Sequence, residues 1–330
     1  MVKIGNIELE DFPLILAPME DVSDPPFRAL CKENGVDLMF TEFISSEGLI
    51  RDAVKSTQKL DIFEYERPIG IQIFGNEISS MREATEITAS ANPDIIDINY
   101  GCPVKKVAGK GAGAGILRDI PKMVEMTSEI VKSTNLPVTV KTRLGWDENS
   151  KYIKEVAEKL QDVGIQALSV HGRTRKQMYK GEADWTLIGE IKDNPRIKIP
   201  IFGNGDINSA EKAKEYKNRY NVDGIMIGRA SIGYPWIFNE IKHYLKTGEK
   251  LAPPTIQQRV DVCKRHLDFS LRWKGEVTGI VEMRRHYSNY FKGIPDFKEY
   301  RTQLVQSMDE AHLYEMLDRI NDKFGHHEFA

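Results

Sequence analysis

Short runs of strand-forming apolar residues recur along this chain, and a helical pattern fills the interval after each of them. Strands are expected near Leu14–Ala17, Leu38–Glu42, Ile69–Phe74, Ile95–Asn99, Val138–Thr142, Ala167–His171, Ile199–Gly203 and Gly224–Gly228. The runs are nearly continuous in Ile, Val and Leu instead of alternating, as strands buried on both faces require. The intervals carry helix spacing; Tyr152, Val156, Leu160 and Val163 make one apolar stripe. Eight strand–helix repeats over roughly 250 residues is the arithmetic of a (β/α)8 TIM barrel. A doubly wound α/β sheet fits the same periodicity, which cannot show closure. The barrel is the reading adopted.

Pro253-Pro254 interrupts the pattern just after the last barrel helix, and beyond it the chain reads as helix to its end. The expected organisation is a catalytic α/β barrel over 1–248 followed by a small all-helical C-terminal domain over 249–330. The stretch Arg259–Arg301 holds ten Lys/Arg against six Asp/Glu, with Trp273, Tyr287, Tyr290, Phe291 and Tyr300 interleaved. The remainder, Thr302–Ala330, has two against six. This pattern fits either a basic, aromatic face for nucleic acid or an ordinary bundle with an aromatic core and solvated charges.

Composition removes several classes. The hydrophobic fraction of 41% and charged fraction of 29% are those of a folded soluble protein. A net charge of −3 excludes a uniformly basic polyanion binder but not a local basic face. The three cysteines, Cys31, Cys102 and Cys263, form no CxxC pair, so neither a disulfide framework nor a cysteine zinc site is expected. Of seven histidines, five follow residue 251 without ligand spacing, and no metal site is expected. No signal peptide is evident, nor any stretch near the ~18 apolar residues of a membrane span. A cytoplasmic, monomeric protein without an obligate protein partner is the expectation.

In a barrel, chemistry sits where strands end and the following loops begin. The first strand end presents Ala17-Pro18-Met19-Glu20-Asp21, and the third presents Gln72. The fourth runs Asp97-Ile98-Asn99-Tyr100-Gly101-Cys102-Pro103, the fifth carries Lys141 and Arg143, and the sixth gives His171-Gly172-Arg173-Thr174-Arg175. The seventh gives Gly203-Asn204-Gly205-Asp206 and the eighth Gly228-Arg229-Ala230. Glycines after strands seven and eight let backbone N–H groups approach a phosphate, and Arg229 adds a charged partner. With Lys141 and Gln72 the set suggests a phosphorylated cofactor with a polar ring, such as FMN. Cys102 lies in a Gly/Pro-bounded loop, whereas Cys31 and Cys263 fall on apolar helix stripes as packing residues. A loop thiol acts as nucleophile, general acid or bystander. The run Gly109–Gly115 lacks the P-loop spacing and is read as a mobile loop.

Taken in order, these motifs resemble the tRNA-dihydrouridine synthase family, most closely its bacterial B-type branch. The matching pieces are Ala17-Pro18-Met19, Asp24-Pro25-Pro26-Phe27-Arg28, Asn99-Tyr100-Gly101-Cys102-Pro103, Val140-Lys141-Thr142-Arg143-Leu144-Gly145-Trp146, His171-Gly172-Arg173-Thr174-Arg175, Asn204-Gly205-Asp206-Ile207 and Ile227-Gly228-Arg229-Ala230. The resemblance implies reduction of the C5–C6 double bond of a tRNA uridine to dihydrouridine. NADPH or NADH is the electron source and FMN the carrier, with the helical domain holding tRNA. It implies Cys102 as the acid that protonates C5. Pro18, Met19, Glu20, Gln72, Lys141, Asn204, Gly205, Asp206, Gly228 and Arg229 are implied at FMN with His171 beside it, and Asn99, Arg143 and Arg173 at the uridine. Two positions depart from the family's usual pattern: Glu20-Asp21, where small residues are common, and Tyr100. A small-molecule FMN barrel enzyme acting on free pyrimidines, or an RNA-binding factor without activity, are the alternative readings.

Overall fold

All eight expected apolar runs form strands in the computed structural model, which describes residues 1–329. A short antiparallel hairpin, β1 (Val2–Ile4) and β2 (Ile7–Leu9), precedes β3 (Leu14–Leu16) and β4 (Leu38–Phe40). The two-residue β5 (Ile44–Ser45) and then β6 (Ile69–Phe74), β7 (Ile95–Tyr100) and β8 (Val138–Arg143) follow. β9 (Ala167–His171), β10 (Ile201–Asn204) and β11 (Gly224–Ile227) complete the set. Pairing is parallel and cyclic: β3 pairs with β4, β4 with β6, and so on through β11, which returns to β3. The sheet is therefore a closed TIM barrel, and the doubly wound alternative is set aside. Closure comes from β4–β6 (Met39 opposite Ile69) and β11–β3 (Ile225 opposite Leu14). These are long-range pairings that no local pattern encodes.

The hairpin buries Val2, Ile4 and Leu9 in one cluster with Ile15, Leu38, Ile95, Phe202 and Met226, residues carried by the barrel strands. Its apolar–polar alternation places this cluster on one side and Lys3 and Glu8 on the other. On the outside, the helix Ile153–Asp162 turns Ile153, Val156, Ala157 and Leu160 inward. Tyr152, expected on that stripe, caps the helix and is exposed, because the inward face begins one residue later.

The segment 109–115 corrects the expectation of a mobile loop. A turn of helix (Lys105–Ala108) leads into a 3-10 helix (Gly113–Arg118), and Gly113–Leu117 are buried. Gly113 has φ +51°, and a Cβ there would lie 3.0 Å from the Cys102 Cβ. Small residues are needed because backbone packs on backbone beside Cys102, and not for motion.

Four helices, Ile256–Lys274, Glu276–Tyr290, Lys298–Gln306 and Glu310–Phe324, share a separate hydrophobic cluster. Tyr287, Tyr290 and Phe291 belong to that cluster, so the aromatics interleaved with the bases are largely core and not a surface stacking platform. Large rings bury more apolar area than any other side chain, which favours the interior over a wet face. Cys263 lies in the same core and Cys31 in that of the barrel. The helices meet the barrel through Phe27 stacked on His266 at 5.6 Å, an Arg265–Glu33 ion pair, and Arg285 donating to the Asp21 carbonyl at 2.6 Å. Among the described residues no helix is long and apolar enough to cross a membrane.

Candidate active site

The residues that end the parallel strands converge on a cavity of about 740 Å³ at the carboxyl-terminal face of the barrel. Its walls include Pro18, Met19, Glu20, Asn99, Cys102, Lys141, Arg143, His171, Asn204, Gly205, Asp206, Gly228 and Arg229. The pleat explains the convergence, since alternate residues of each strand face the same way and only the last can reach the mouth. Two expected site residues are elsewhere. Gln72 is fully buried beneath the wall and Arg173 is turned away from it.

Gln72 belongs to a hydrogen-bonded chain that sets the floor. Asp97 accepts from Thr139 Oγ1 at 2.5 Å and from Gln72 Nε2 at 2.6 Å. Gln72 Oε1 in turn accepts from Asn99 Nδ2 at 2.8 Å. That fixes the Asn99 amide, whose Oδ1 accepts from the backbone N–H groups of Gly101 at 2.9 Å and Cys102 at 2.8 Å. Arg143 Nε donates to the Gly101 carbonyl at 2.8 Å, so both sides of the turn before Cys102 are held. Burial raises the Asp97 carboxyl to about 6 against the pull of its two donors. Sequence reading placed Asp97 at the fourth strand without a role and missed Thr139. The available signal was a carboxylate inside an otherwise apolar strand.

Burial also sets the ionisation of the cavity. It pushes the Cys102 thiol above its ordinary value, opposed by a backbone N–H and by Arg143. The group is therefore a protonated thiol at neutral pH. Burial and the neighbouring Arg143 pull Lys141 down to about 8. Lys141 stands in no ion pair and makes no side-chain hydrogen bond among the described residues. Burial and the surrounding cations hold His171 well below its usual range, leaving a neutral imidazole.

Asp206 organises the opposite wall, with φ +57° placing its carboxylate under the loop. It accepts from Arg173 at 2.9 and 2.7 Å, from Arg229 at 2.9 Å and from the Ala183 N–H at 2.8 Å. Arg173 thus holds Asp206 and the carbonyls of Lys180 and Gly181 instead of facing a substrate. Arg229 remains half exposed and lies 4.7 Å over the ring of Tyr179, a wall residue that carried no sequence signal. The backbone N–H groups of Gly205, Asp206, Gly228 and Arg229 donate to no protein acceptor among the described residues. Free backbone donors beside an arginine fit a phosphate. An unpaired lysine deeper in the same cavity fits a polar ring that gains negative charge. These residues suit a flavin mononucleotide.

A family model for dihydrouridine synthases matches residues 15–324. The chain belongs to the dihydrouridine synthase family. It is 41% identical over 302 residues to tRNA-dihydrouridine synthase B of Pseudomonas putida, covering 92% of this chain and 89% of that one. To the probable tRNA-dihydrouridine synthase of Rickettsia conorii it is 39% identical over 302 residues, 91% of this chain and 90% of the relative. Among solved structures, morphinone reductase in complex with tetrahydroNAD superposes with TM-score 0.53 at 13% identity, over 76% of this chain and 90% of that one. That likeness shows the shared barrel fold.

Of the two departures from the family pattern, Tyr100 lies outside the cavity wall and Glu20 lines it. The Tyr100 hydroxyl meets Thr127 Oγ1 at 2.9 Å, so its ring packs behind the strand, away from the cavity. Glu20 pairs with Lys59 at 2.6 Å, and Asp21 with Arg285 at 3.2 Å. Lys59 is shared with Glu42 at 3.5 Å, and Glu20 still lines the cavity, where its charge adds to burial in pushing the Cys102 thiol up.

Proposed function

We propose that this protein is a tRNA-dihydrouridine synthase that adds a hydride and a proton across the C5–C6 bond of a tRNA uridine. The observation that carries the reading is a buried, protonated thiol and an unpaired lysine sharing the walls of one cavity. Bound there, FMN would supply the hydride for C6, recharged by NADPH or NADH. The Cys102 thiol supplies the proton to C5, and the Asn99–Gln72–Asp97 chain holds its loop in place. Lys141 stabilises negative charge on a ring lying against it. Asn99 and Arg143 border the space left for the base, and the carbonyls of Thr174 and Met178, bonded at 3.1 and 2.9 Å, fix the Arg143 guanidinium. The neutral His171 offers a hydrogen bond without adding charge. Residues 1–248 carry the chemistry and 249–330 help hold the RNA. A uridine stacked within tRNA cannot enter such a cavity, so the nucleotide is turned out.

Mapping dihydrouridine in tRNA from cells lacking this chain tests the reading, with loss at a defined position expected. Cys102→Ala should retain flavin absorbance and lose most turnover. The acid form of Cys102 is the active one and burial raises its pKa, whereas Lys141 loses its charge near 8, so wild-type turnover should be flat around neutral pH and fall as pH rises through about 8. Efficient reduction of free uracil or orotate with no action on tRNA would overturn the proposal.

A further inference from the structure

The cations that remain free lie chiefly on the barrel and not on the helical domain. Of the ten Lys/Arg in Arg259–Arg301, Lys264, Arg265, Arg272, Lys274 and Arg285 are held in ion pairs. Arg259 is buried, with its guanidinium 3.6 Å from the Phe329 ring. By contrast, Ile98–Arg118 contains four Lys/Arg and no acid, none of them in an ion pair among the described residues, and His171–Gly181 contains four and no acid, of which Arg173 and Lys176 are paired outside the run. In a chain of net charge −3 these are two local concentrations of positive charge.

The fold brings the two runs together. Arg118 donates to the Ala108 carbonyl at 3.1 Å, at the end of the turn that carries Lys105 and Lys106. The Arg118 guanidinium lies 4.4 Å from the Trp146 ring centroid, and Arg175 lies 4.8 Å from the same ring. Backbone bonds from Arg175 to the Gly145 carbonyl at 2.9 Å and from Lys176 to the Trp146 carbonyl at 3.0 Å lock the rim. Lys105, Lys106 and Lys110 are exposed, and neither they nor Arg118 nor Arg175 form an ion pair among the described residues. Arg175 Nε is buried without a partner. Stacking on an indole orients a weakly hydrated guanidinium and leaves its edge for a planar anion. These loops follow β7, β8 and β9, across the mouth from β3, whose loop meets the helical domain. The segment also abuts Cys102 through Gly113.

We propose that Lys105, Lys106, Lys110, Arg118 and Arg175, with Trp146 as their stacking platform, form an RNA phosphate-binding rim on the barrel itself. It grips the backbone beside the extruded uridine from the side opposite the helical domain. This rests on the tRNA reading above. An RNA supported only on the helical side would leave the nucleotide free to swing at the mouth; the rim supplies the second point of contact.

The test is the salt dependence of tRNA affinity for the flavin-loaded full chain, using an unmodified tRNA transcript pool. Each lost phosphate contact lowers the slope of log affinity against log salt by about 0.7–0.9. Lys105→Ala/Lys106→Ala/Lys110→Ala should lower it by about 2 while flavin absorbance stays unchanged. Adding Arg175→Gln should lower it by nearly one more. A control that removes two charges away from the mouth, Lys198→Ala/Lys246→Ala, should leave the slope where it was. An unchanged slope in the triple rim variant, or an equal fall in the control, overturns the rim. Wild-type protein that shows no salt-dependent tRNA binding would instead overturn the tRNA reading beneath it.

Discussion

Removing one charge from the buried Arg28–Glu66 pair should destabilise the barrel more than an average substitution. The two side chains are 2% and 0% exposed. Glu66 accepts from Arg28 Nε at 2.9 Å and Nη2 at 3.1 Å, and from the Phe63 N–H at 2.9 Å. Arg28 also donates to the carbonyls of Ser23 at 2.8 Å and Asp61 at 2.9 Å. Glu66→Gln keeps the shape but points an amide N–H₂ at a guanidinium, leaving the cation buried and uncompensated. Breaking such a pair costs about 3–5 kcal/mol. With an unfolding entropy of about 2.1 cal/mol/K per residue, a chain of this length should melt ~4–7 °C lower. The site should feel the change as well, because Ser23 Oγ bridges the Ala17 carbonyl at 2.8 Å and the Met19 N–H at 2.9 Å. Thermal unfolding with flavin absorbance as a second signal is the assay. Arg28→Met/Glu66→Met removes both charges and should recover part of the loss. Recovery stays incomplete, since the Ser23 and Asp61 carbonyls lose their donor. A Glu66→Gln protein melting within about a degree of wild type would refute the reasoning, as would a double variant less stable than the single one.

Gly205→Ala should abolish flavin retention, because φ is +119° and a Cβ would stand 2.7 Å from the Ala183 Cβ and 2.8 Å from His171 Cδ2. Absorbance of the purified variant is the check, and a variant that keeps its flavin contradicts the close approach at that turn. Glu42 gives a pH dependence of defined sign. Burial raises its carboxyl from 4.5 to about 7, so the fold favours the protonated form. Its stabilising contribution is complete below pH 4.5 and is lost as pH rises through about 7. Melting curves at about pH 5 and pH 8 should show a smaller pH effect in Glu42→Gln than in wild type. Equal pH effects in the two proteins would exclude the assignment.

Much of this molecule is legible without coordinates. Continuous apolar runs mark strands covered on both faces, so the eight barrel strands, and the polar residues that end them, follow from spacing. The barrel topology then places Cys102, Lys141, Arg143, Asp206 and Arg229 at one face. Backbone alternation is local, and a local rule survives reading in one dimension.

What depended on tertiary structure is how partners are shared. Gln72 and Arg173 stand at the right strand ends, yet Asp97 and Asn99 claim the first and Asp206 the second. The glycine-rich 109–115 segment reads as loose, yet its second half is packed, because Gly113 and Gly115 lie against the backbone of Cys102 and Ala108. The basic, aromatic helical tail fits either a surface or an aromatic core when read in sequence; its rings largely form a core and half its cations are paired. Hydrogen bonds and ion pairs saturate: a side chain that satisfies one buried partner is withdrawn from ligand. Which partner wins depends on distances across the closed barrel, and these are set by strand pairings such as β4 with β6 that no stretch of sequence contains.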